Sequence, residues 1–255
     1  MTKIIALDFD GVICDGLAEY FHSSHLAYQK IWTETLNDAT ETQAKFNQLR
    51  PLVETGWEMP VMLRAINLGY GIEEIKTNWR GICQDILKTE NLDYIAISKT
   101  LDQLRQYQID HNLDQWLSLH NFFPNIINTI QQLLNQENIR LFIVTTKEGL
   151  FVKQLLINNG INLEKLVIIG KEVKRPKYES LRLIINEQKE KKAPVTFIED
   201  RLEALEAVKQ QPDLQGVKLF LADWGYNTEE TRAKVANLTD INLLSLNEFN
   251  SCQWI

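Results

Sequence analysis

Short runs of apolar residues recur along the chain, next to segments that carry apolar residues at helical spacing. The runs cover residues 4–7, 139–145, 166–169, 195–199 and 217–222, and the helical segments cover residues 125–136, 148–159, 177–189 and 202–211. A strand that is apolar at nearly every position is buried on both faces, as in a parallel sheet covered by helices. The alternation therefore predicts a doubly wound α/β fold with right-handed crossovers.

The stretch from residue 16 to about residue 120 has a different pattern, because it lacks buried-strand runs and carries amphipathic helices. Two of these predicted helices cover residues 59–68 and 92–119, and Gly69 and Gly71 bracket the turn after the first. In the second, one apolar stripe is predicted from Ile95, Leu101, Leu104, Ile109, Leu113 and Leu117. We therefore expect an all-helical domain at residues 15–120, inserted into an α/β domain made of residues 1–14 and 121–255.

Composition narrows the class of protein and its surroundings. The 255 residues are 44% hydrophobic and 24% charged, and the net charge of −7 does not favour binding to a nucleic acid, which would require a basic face. The cysteines, Cys14, Cys83 and Cys252, are widely spaced and form no metal-ligand pattern, which favours a reducing compartment. The first apolar run is too short for a signal peptide or a membrane span. We expect a cytoplasmic protein with no nucleic-acid or membrane partner.

Two carboxylates, Asp8 and Asp10, follow the first predicted strand, and Gly11 comes next. Ligands of open parallel sheets bind outside the carboxyl ends of the strands. Gly11 permits a turn that brings both carboxylates to one site, although they are spaced two residues apart. One carboxylate is then suited to nucleophilic attack on phosphorus, and the other to proton transfer.

The ends of three further strands carry side chains that suit a phosphate ester and a metal ion. The second predicted strand ends at Thr145, a hydroxyl near a helix entrance where phosphate oxygens bind well. A cluster of cations, Lys174, Arg175 and Lys177, follows the third strand, where a bound anion would offset the charge. The fourth strand ends in Glu199 and Asp200, whose oxygens suit Mg²⁺.

Together these motifs resemble the haloacid dehalogenase-like hydrolase superfamily. Its first motif, Asp-x-Asp-Gly-[Thr/Val], is met by residues 8–12, its second by Thr145 after an apolar strand, and its fourth by Glu199 and Asp200. The resemblance covers residues 2–14 and about 122–226. It implies a Rossmann-like core, and it implies that the helical insertion is an α-helical cap of the family's first type, which closes over the site and selects the substrate.

The resemblance also implies roles for individual residues. Asp8 would be the nucleophile, and Asp10 the general acid and base. Mg²⁺ would be held by Asp8, the backbone carbonyl of Asp10, and Asp200, with Glu199 assisting directly or through water. The chain departs from the family pattern at Ala204, where some members carry an acid, and at Asn125, where Gly is usual. The third-motif lysine is either Lys177 or Lys174, and we prefer Lys177.

These features favour a Mg²⁺-dependent phosphatase that acts on a small phosphorylated metabolite as a monomer or homodimer. A phosphomutase of the same superfamily is an alternative. A haloacid dehalogenase is a weaker one, since such enzymes need no metal and lack the second aspartate that Asp10 supplies. A catalytically idle binding protein on this fold is the alternative from a different class, although no motif residue is clearly missing.

Overall fold

The computed structural model describes residues 2–187, 193–252 and 254. The chain divides into two compact units, one made of residues 1–15 and 121–255 and the other of residues 16–120.

The first unit contains a six-stranded parallel sheet in the order β5-β4-β1-β6-β7-β8. Its strands are β1 (Lys3–Leu7), β4 (Ile139–Val144), β5 (Leu166–Ile169), β6 (Val195–Glu199), β7 (Val217–Ala222) and β8 (Ile241–Leu244). A separate antiparallel pair joins β2 (Cys14–Asp15) to β3 (Asn121–Phe122). The predicted α/β class with a parallel sheet is confirmed, and β1 occupies an interior position because β4 and β6 pair with its two edges.

Within its described residues, the unit that contains the sheet has six α-helices. They are α6 (Ile126–Leu134), α7 (Gly149–Asn158), α8 (Lys177–Asn186), α9 (Leu202–Lys209), α10 (Glu229–Ala236) and α11 (Leu246–Ser251). The helix predicted at residues 177–189 agrees with α8 up to Asn186, and its positions 188 and 189 lie outside the described residues. Single-turn 3₁₀ segments occur at Lys171–Val173 and Pro212–Leu214 in this unit.

The second unit is helical throughout its regular structure. Its helices are α1 (Leu17–Trp32), α2 (Ala39–Leu49), α3 (Glu58–Asn67), α4 (Ile72–Thr89) and α5 (Tyr94–Ser118), with a 3₁₀ turn at Arg50–Leu52. Gly71 precedes α4, so the predicted turn between two helices is present. The apolar stripe predicted along residues 92–119 is present in part but is not continuous, since Leu101 and Leu117 are buried and Leu104, Ile109 and Leu113 are partly buried. Ile95 is 61% exposed, and α5 contains a non-helical residue at Asn112, so positions on either side of it do not continue one face.

The core of the sheet unit follows from the apolar composition of its central strands. Ile4 to Leu7 of β1 are all buried, as expected for a strand covered on both faces. One face packs Ala6 and Phe197 against Leu205 of α9 in a continuous apolar cluster. This packing fixes the carboxyl ends of the central strands relative to one another.

The chain re-enters the sheet unit through β3 and then begins α6 after an unusual residue. Asn125 precedes α6 with a φ of +62°, a left-handed conformation that Gly adopts at no cost and Asn tolerates. The conformation explains why Asn stands where the family usually has Gly. In the described part of the chain, no helix is both long and apolar enough to cross a membrane.

A buried ion pair links the first and last helices of the helical unit. Glu19 on α1 is almost fully buried, and its carboxylate accepts hydrogen bonds from Arg105 of α5 at 2.7 Å, from Ser23 at 2.6 Å and from Trp116 at 3.3 Å. Each of these donors offsets part of the cost of burying the charge. The pair therefore holds α1 against α5.

We expect Arg105→Ala to lower the free energy of unfolding by about 3 kcal/mol, because it leaves a buried carboxylate without its cation. Urea unfolding followed by tryptophan fluorescence measures the loss. Lys30→Ala, an exposed change on α1, is the control and should fall within about 0.5 kcal/mol of the parent protein. Equal stability of the two variants would contradict the proposed importance of the pair.

Candidate active site

The register of the sheet brings the polar strand ends to one edge. Leu7, the last residue of β1, is aligned with Ile143 of β4 on one side and with Ile198 of β6 on the other. The residues that follow these three positions therefore leave the sheet side by side. They include Asp8, whose N–H donates to the Ile198 carbonyl at 2.9 Å.

A largely buried lysine, whose side chain is 14% exposed, joins two carboxylates at this edge of the sheet. Lys177, the first residue of α8, places its Nζ 2.8 Å from Asp8 Oδ2 and 2.6 Å from Glu199 Oε2. Glu199 is fully buried, and its other oxygen accepts a hydrogen bond from the Arg201 N–H at 3.0 Å. An ammonium with three donors can serve two carboxylates at once, which compensates part of the desolvation of all three groups.

The surroundings of Asp8, Glu199 and Asp200 favour the binding of a proton or of a further cation in addition to Lys177. Burial raises the pKa of Asp8 to about 7, the neighbouring Glu199 adds to the rise, and Lys177 opposes it. Burial likewise raises the pKa of Asp200 to about 6, with Asp8 contributing next. Burial disfavours the charged form of Lys177, but Asp8 and Glu199 outweigh it, so the pKa of Lys177 lies above its usual value. A second positive charge would stabilise the ionised carboxylates.

Asp200 is held by the loop that follows β7. Its Oδ2 accepts a hydrogen bond from the Tyr226 N–H at 2.8 Å, and its carbonyl accepts one from the Asn227 side chain at 3.1 Å. Methyl groups added at Gly11 or Gly225 would overlap Asp200, so both glycines are required by close approach. Gly11 also has a φ of +82°, in agreement with the turn predicted after Asp10.

Lys147 makes a contact that its position in the sequence does not predict. Its side chain is only 10% exposed, and its Nζ lies 3.2 Å from Asp10 Oδ1. The signal available in the sequence was its position two residues after Thr145, at the same sheet edge as Asp10. Side-chain direction decided the contact, and hydrophobic periodicity carries no information on it.

Thr145 is buried at the end of β4, and its Oγ1 accepts a hydrogen bond from the Lys147 N–H at 3.1 Å. It is not the N-cap of α7, a position that Glu148 occupies. The amino end of α7 is instead bonded by Glu172, whose carboxylate accepts from the Gly149 N–H at 3.0 Å. That N–H, the largest contribution, holds the pKa of Glu172 below its ordinary value. The Glu172 carboxylate therefore lies at the amino end of α7, where the sequence had suggested that phosphate oxygens bind.

The two candidates for the third-motif lysine occupy different positions. Lys177 contacts Asp8 and Glu199, whereas Lys174 is exposed in the loop before α8 with a φ of +49°. Arg175 of the same loop donates to Ser180 at 3.1 Å. Both lysines line one cavity of about 310 Å³ that also includes Thr145. The geometry brings Lys177, and not Lys174, into the carboxylate cluster.

The cluster has the composition of a hard-cation site. Single carboxylate oxygens of Asp8, Glu199 and Asp200 lie within 4.8 Å of one another. Asp8 Oδ1 is buried and accepts no hydrogen bond. A buried, unpartnered carboxylate oxygen is costly unless a proton or a cation satisfies it. The three acids therefore fit a divalent ion with oxygen ligands, such as Mg²⁺.

Comparison with known proteins gives a family match and a fold. The family model of haloacid dehalogenase-like hydrolases matches residues 2–210. No curated protein matches the chain in sequence. Among solved structures, a haloacid dehalogenase-like family hydrolase from Streptococcus pneumoniae is 17% identical, with a TM-score of 0.62 and coverage of 99% of this chain and 98% of that one.

Two other solved structures are similar over nearly their whole length. A predicted phosphoglycolate phosphatase from Haemophilus somnus is 14% identical, with a TM-score of 0.59 and coverage of 99% of this chain and 97% of that one. Protein Tyrosine Kinase A from Mycobacterium tuberculosis is 16% identical, with a TM-score of 0.59 and coverage of 100% and 99%. At these identities the likeness shows the fold alone, because one fold hosts different activities.

The raised pKa values of Asp8 and Asp200 set the sign of a pH effect on stability. A carboxyl group whose pKa is higher in the folded state contributes stability below its unfolded pKa, and this is lost as the pH rises through the folded pKa. We expect the melting temperature of the metal-free protein to fall between about pH 4 and about pH 7 because of these two groups. The free energy of unfolding lost in this way is at most about 1.4 kcal/mol for each unit by which a pKa is raised.

Asp200→Asn removes one of the two groups and should make the pH dependence shallower. Thermal melts in the presence of a chelator measure it. Asp114→Asn, at an exposed position of α5, is the matched control and should keep the parent slope. An Asp200→Asn slope as steep as that of the parent protein would contradict the assignment.

Proposed function

The chain belongs to the haloacid dehalogenase-like hydrolase family, and on that premise we propose that it is a Mg²⁺-dependent phosphatase of small phosphorylated metabolites. The observation that carries this proposal is the buried group formed by Asp8, Lys177, Glu199 and Asp200. Lys177 contacts two of the three clustered carboxylates, so ionisation of all three leaves an excess of negative charge that a divalent cation would offset.

Asp8 is the proposed nucleophile. Its Oδ2 is bonded to Lys177, while its Oδ1 accepts no hydrogen bond and carries an unshared electron pair. In the first step a carboxylate oxygen of Asp8 forms a bond to phosphorus as the ester P–O bond breaks. Asp10 gives its proton to the departing oxygen, so the alcohol leaves as a neutral molecule.

Hydrolysis of the aspartyl phosphate completes the cycle. The Asp10 carboxylate takes a proton from water as that water attacks phosphorus, and the bond between phosphorus and Asp8 breaks. Asp10 is thereby protonated again for the next turnover. Thr145 and Lys177 would donate hydrogen bonds to the phosphoryl oxygens in both steps and offset their charge.

The metal ligands we propose are Asp8, the backbone carbonyl of Asp10, and Asp200, with Glu199 assisting directly or through water. When bound, Mg²⁺ supplies a positive charge that draws the anionic phosphoryl group to Asp8. Glu199 already accepts hydrogen bonds from Lys177 and from the Arg201 N–H, so its first task is to hold Lys177 in place. The bond from the Tyr226 N–H fixes the direction of Asp200.

The remaining parts of the proposal follow from the family. The helical unit would act as a cap that selects the substrate, and the protein would work in the cytoplasm as a monomer or homodimer. Phosphoglycolate, after which one of the structural neighbours is named, is one of the phosphate esters to be screened. A dehalogenase has no use for Asp10 or for the acids Glu199 and Asp200, whose burial beside Asp8 therefore favours phosphate chemistry.

We expect Asp8→Asn to lower the hydrolysis of p-nitrophenyl phosphate with Mg²⁺ by more than about a thousandfold, because an amide is not a nucleophile toward phosphorus. Release of p-nitrophenol measures the rate, and Asp114→Asn is the control that should keep full activity. Turnover by a verified Asp8→Asn protein at more than about a thousandth of the parent rate would exclude Asp8 as nucleophile. Inactivity of the parent protein on a wide panel of phosphate esters would favour a binding protein on this fold.

We expect Asp200→Ala to bind Mg²⁺ at least about tenfold more weakly, because it removes a ligand oxygen that Tyr226 orients. Isothermal titration calorimetry of the metal-free protein measures the affinity without reference to turnover. Glu203→Ala, at an exposed acid on the next helix, should leave the affinity unchanged. Equal affinity of Asp200→Ala and the parent protein would remove Asp200 from the ligand set.

A further inference from the structure

Lys147 is a partly buried cation whose ammonium faces the Asp10 carboxylate. The Nζ to Oδ1 distance is 3.2 Å, and the two side chains are 10% and 20% exposed. We propose that Lys147 is a positioning residue for Asp10, which holds the carboxyl group in the orientation needed for proton transfer. The inference rests on the proposed function, because it assigns Lys147 a role in the chemistry of Asp10.

The backbone of Lys147 is held from two sides. Its N–H donates to the hydroxyl of Thr145 at 3.1 Å, and its carbonyl accepts from the Lys171 N–H at 2.9 Å. The next residue along the 3₁₀ turn, Glu172, bonds the Gly149 N–H at the start of α7. The loop that carries Lys147 is therefore tied to β4 below it and to the turn after β5 beside it. Its side chain leaves this loop from a fixed backbone.

Asp10 has less support from its own surroundings. It lies beyond the end of β1 in a tight turn, where the Gly11 N–H bonds the Cys14 carbonyl at 2.8 Å. Lys147 donates the hydrogen bond that the Asp10 carboxylate accepts from another side chain. A carboxyl group turns freely about its last bond unless a partner selects one orientation. The bond to Oδ1 fixes the plane of the group and leaves Oδ2 to carry the transferred proton.

The chemistry of the first step shows where this matters. As the ester P–O bond breaks, the proton on Asp10 moves to the departing oxygen, and a negative charge appears on Asp10 opposite the Lys147 ammonium. A group placed for that transfer contributes most when the leaving group is a poor one. A weakly basic leaving group departs from phosphorus without taking up the proton. The benefit of Lys147 must therefore depend on the leaving group.

The experiment compares kcat/KM over a series of phosphate esters, from alkyl through phenyl and p-nitrophenyl to 2,4-dinitrophenyl phosphate, with Mg²⁺ saturating. This ratio reports the steps up to departure of the leaving group. Lys147→Met should lose about tenfold or more with alkyl esters and less than about threefold with 2,4-dinitrophenyl phosphate. Its kcat/KM should therefore fall more steeply with leaving-group pKa than that of the parent protein. Lys147→Arg, which keeps the charge, should recover part of the loss.

Control variants and thermal melts separate this role from others. Lys165→Met, an exposed lysine in the same unit, is the control and should match the parent protein throughout. Asp10→Asn should show the same steep dependence, and adding Lys147→Met to it should not steepen it further, because the two residues act as one unit. Thermal melts exclude unfolding of any variant.

Equal loss by Lys147→Met on all esters would overturn the proposal, since it would mean that Lys147 acts on the phosphoryl group or on folding. Full activity of Lys147→Met on alkyl esters would overturn it as well. If the parent protein hydrolyses none of the esters, the proposed function itself fails. Failure of the inference alone appears only with an active parent protein, so the two results are distinct.

Discussion

The site depends on one interaction, the contact of the Lys177 ammonium with Asp8 and Glu199 in the interior of the protein. Carboxylates this close would repel one another and take up protons if no cation lay between them. Lys177 occupies the first position of α8, so the placement of that helix against the sheet sets where the ammonium lies. The packing of the apolar core therefore determines where this one positive charge lies.

Backbone contacts around Asp200 show a second constraint, which is space. The turn after Asp10 and the loop after β7 approach Asp200 so closely that Gly11 and Gly225 admit no side chain. Tyr226 joins the two segments, since its N–H bonds Asp200 and its hydroxyl donates to Asp15 at 3.0 Å. Trp224 adds a bond from its indole N–H to the Val12 carbonyl at 3.0 Å. The acid is therefore oriented by groups remote from it in sequence.

Much of the fold could be predicted because strands buried on both faces leave a plain apolar pattern. Strand β8 escaped detection because Asn242 interrupts its short run, and the pair β2–β3 because two residues carry no periodicity. Motif positions marked Asp8, Thr145 and Asp200 as candidate site residues, but spacing did not separate Lys177 from Lys174 or reveal the contact between Lys147 and Asp10. The place of Lys177 depends on where α8 begins, and the contact of Lys147 depends on the direction of a long side chain. Both are decided by tertiary packing.

The pair β2–β3 has a consequence for the engineering of this chain. Asp15, just before the helical unit begins, lies opposite Asn121, just after that unit ends, in an antiparallel ladder. Opposite residues in such a ladder are only about 5 Å apart, which a two-residue turn spans. More than a hundred residues thus interrupt what is geometrically a β-hairpin. The positions where the chain leaves and re-enters the sheet unit are thus adjacent, so a shorter or different connection could join them without a change in the order of the strands.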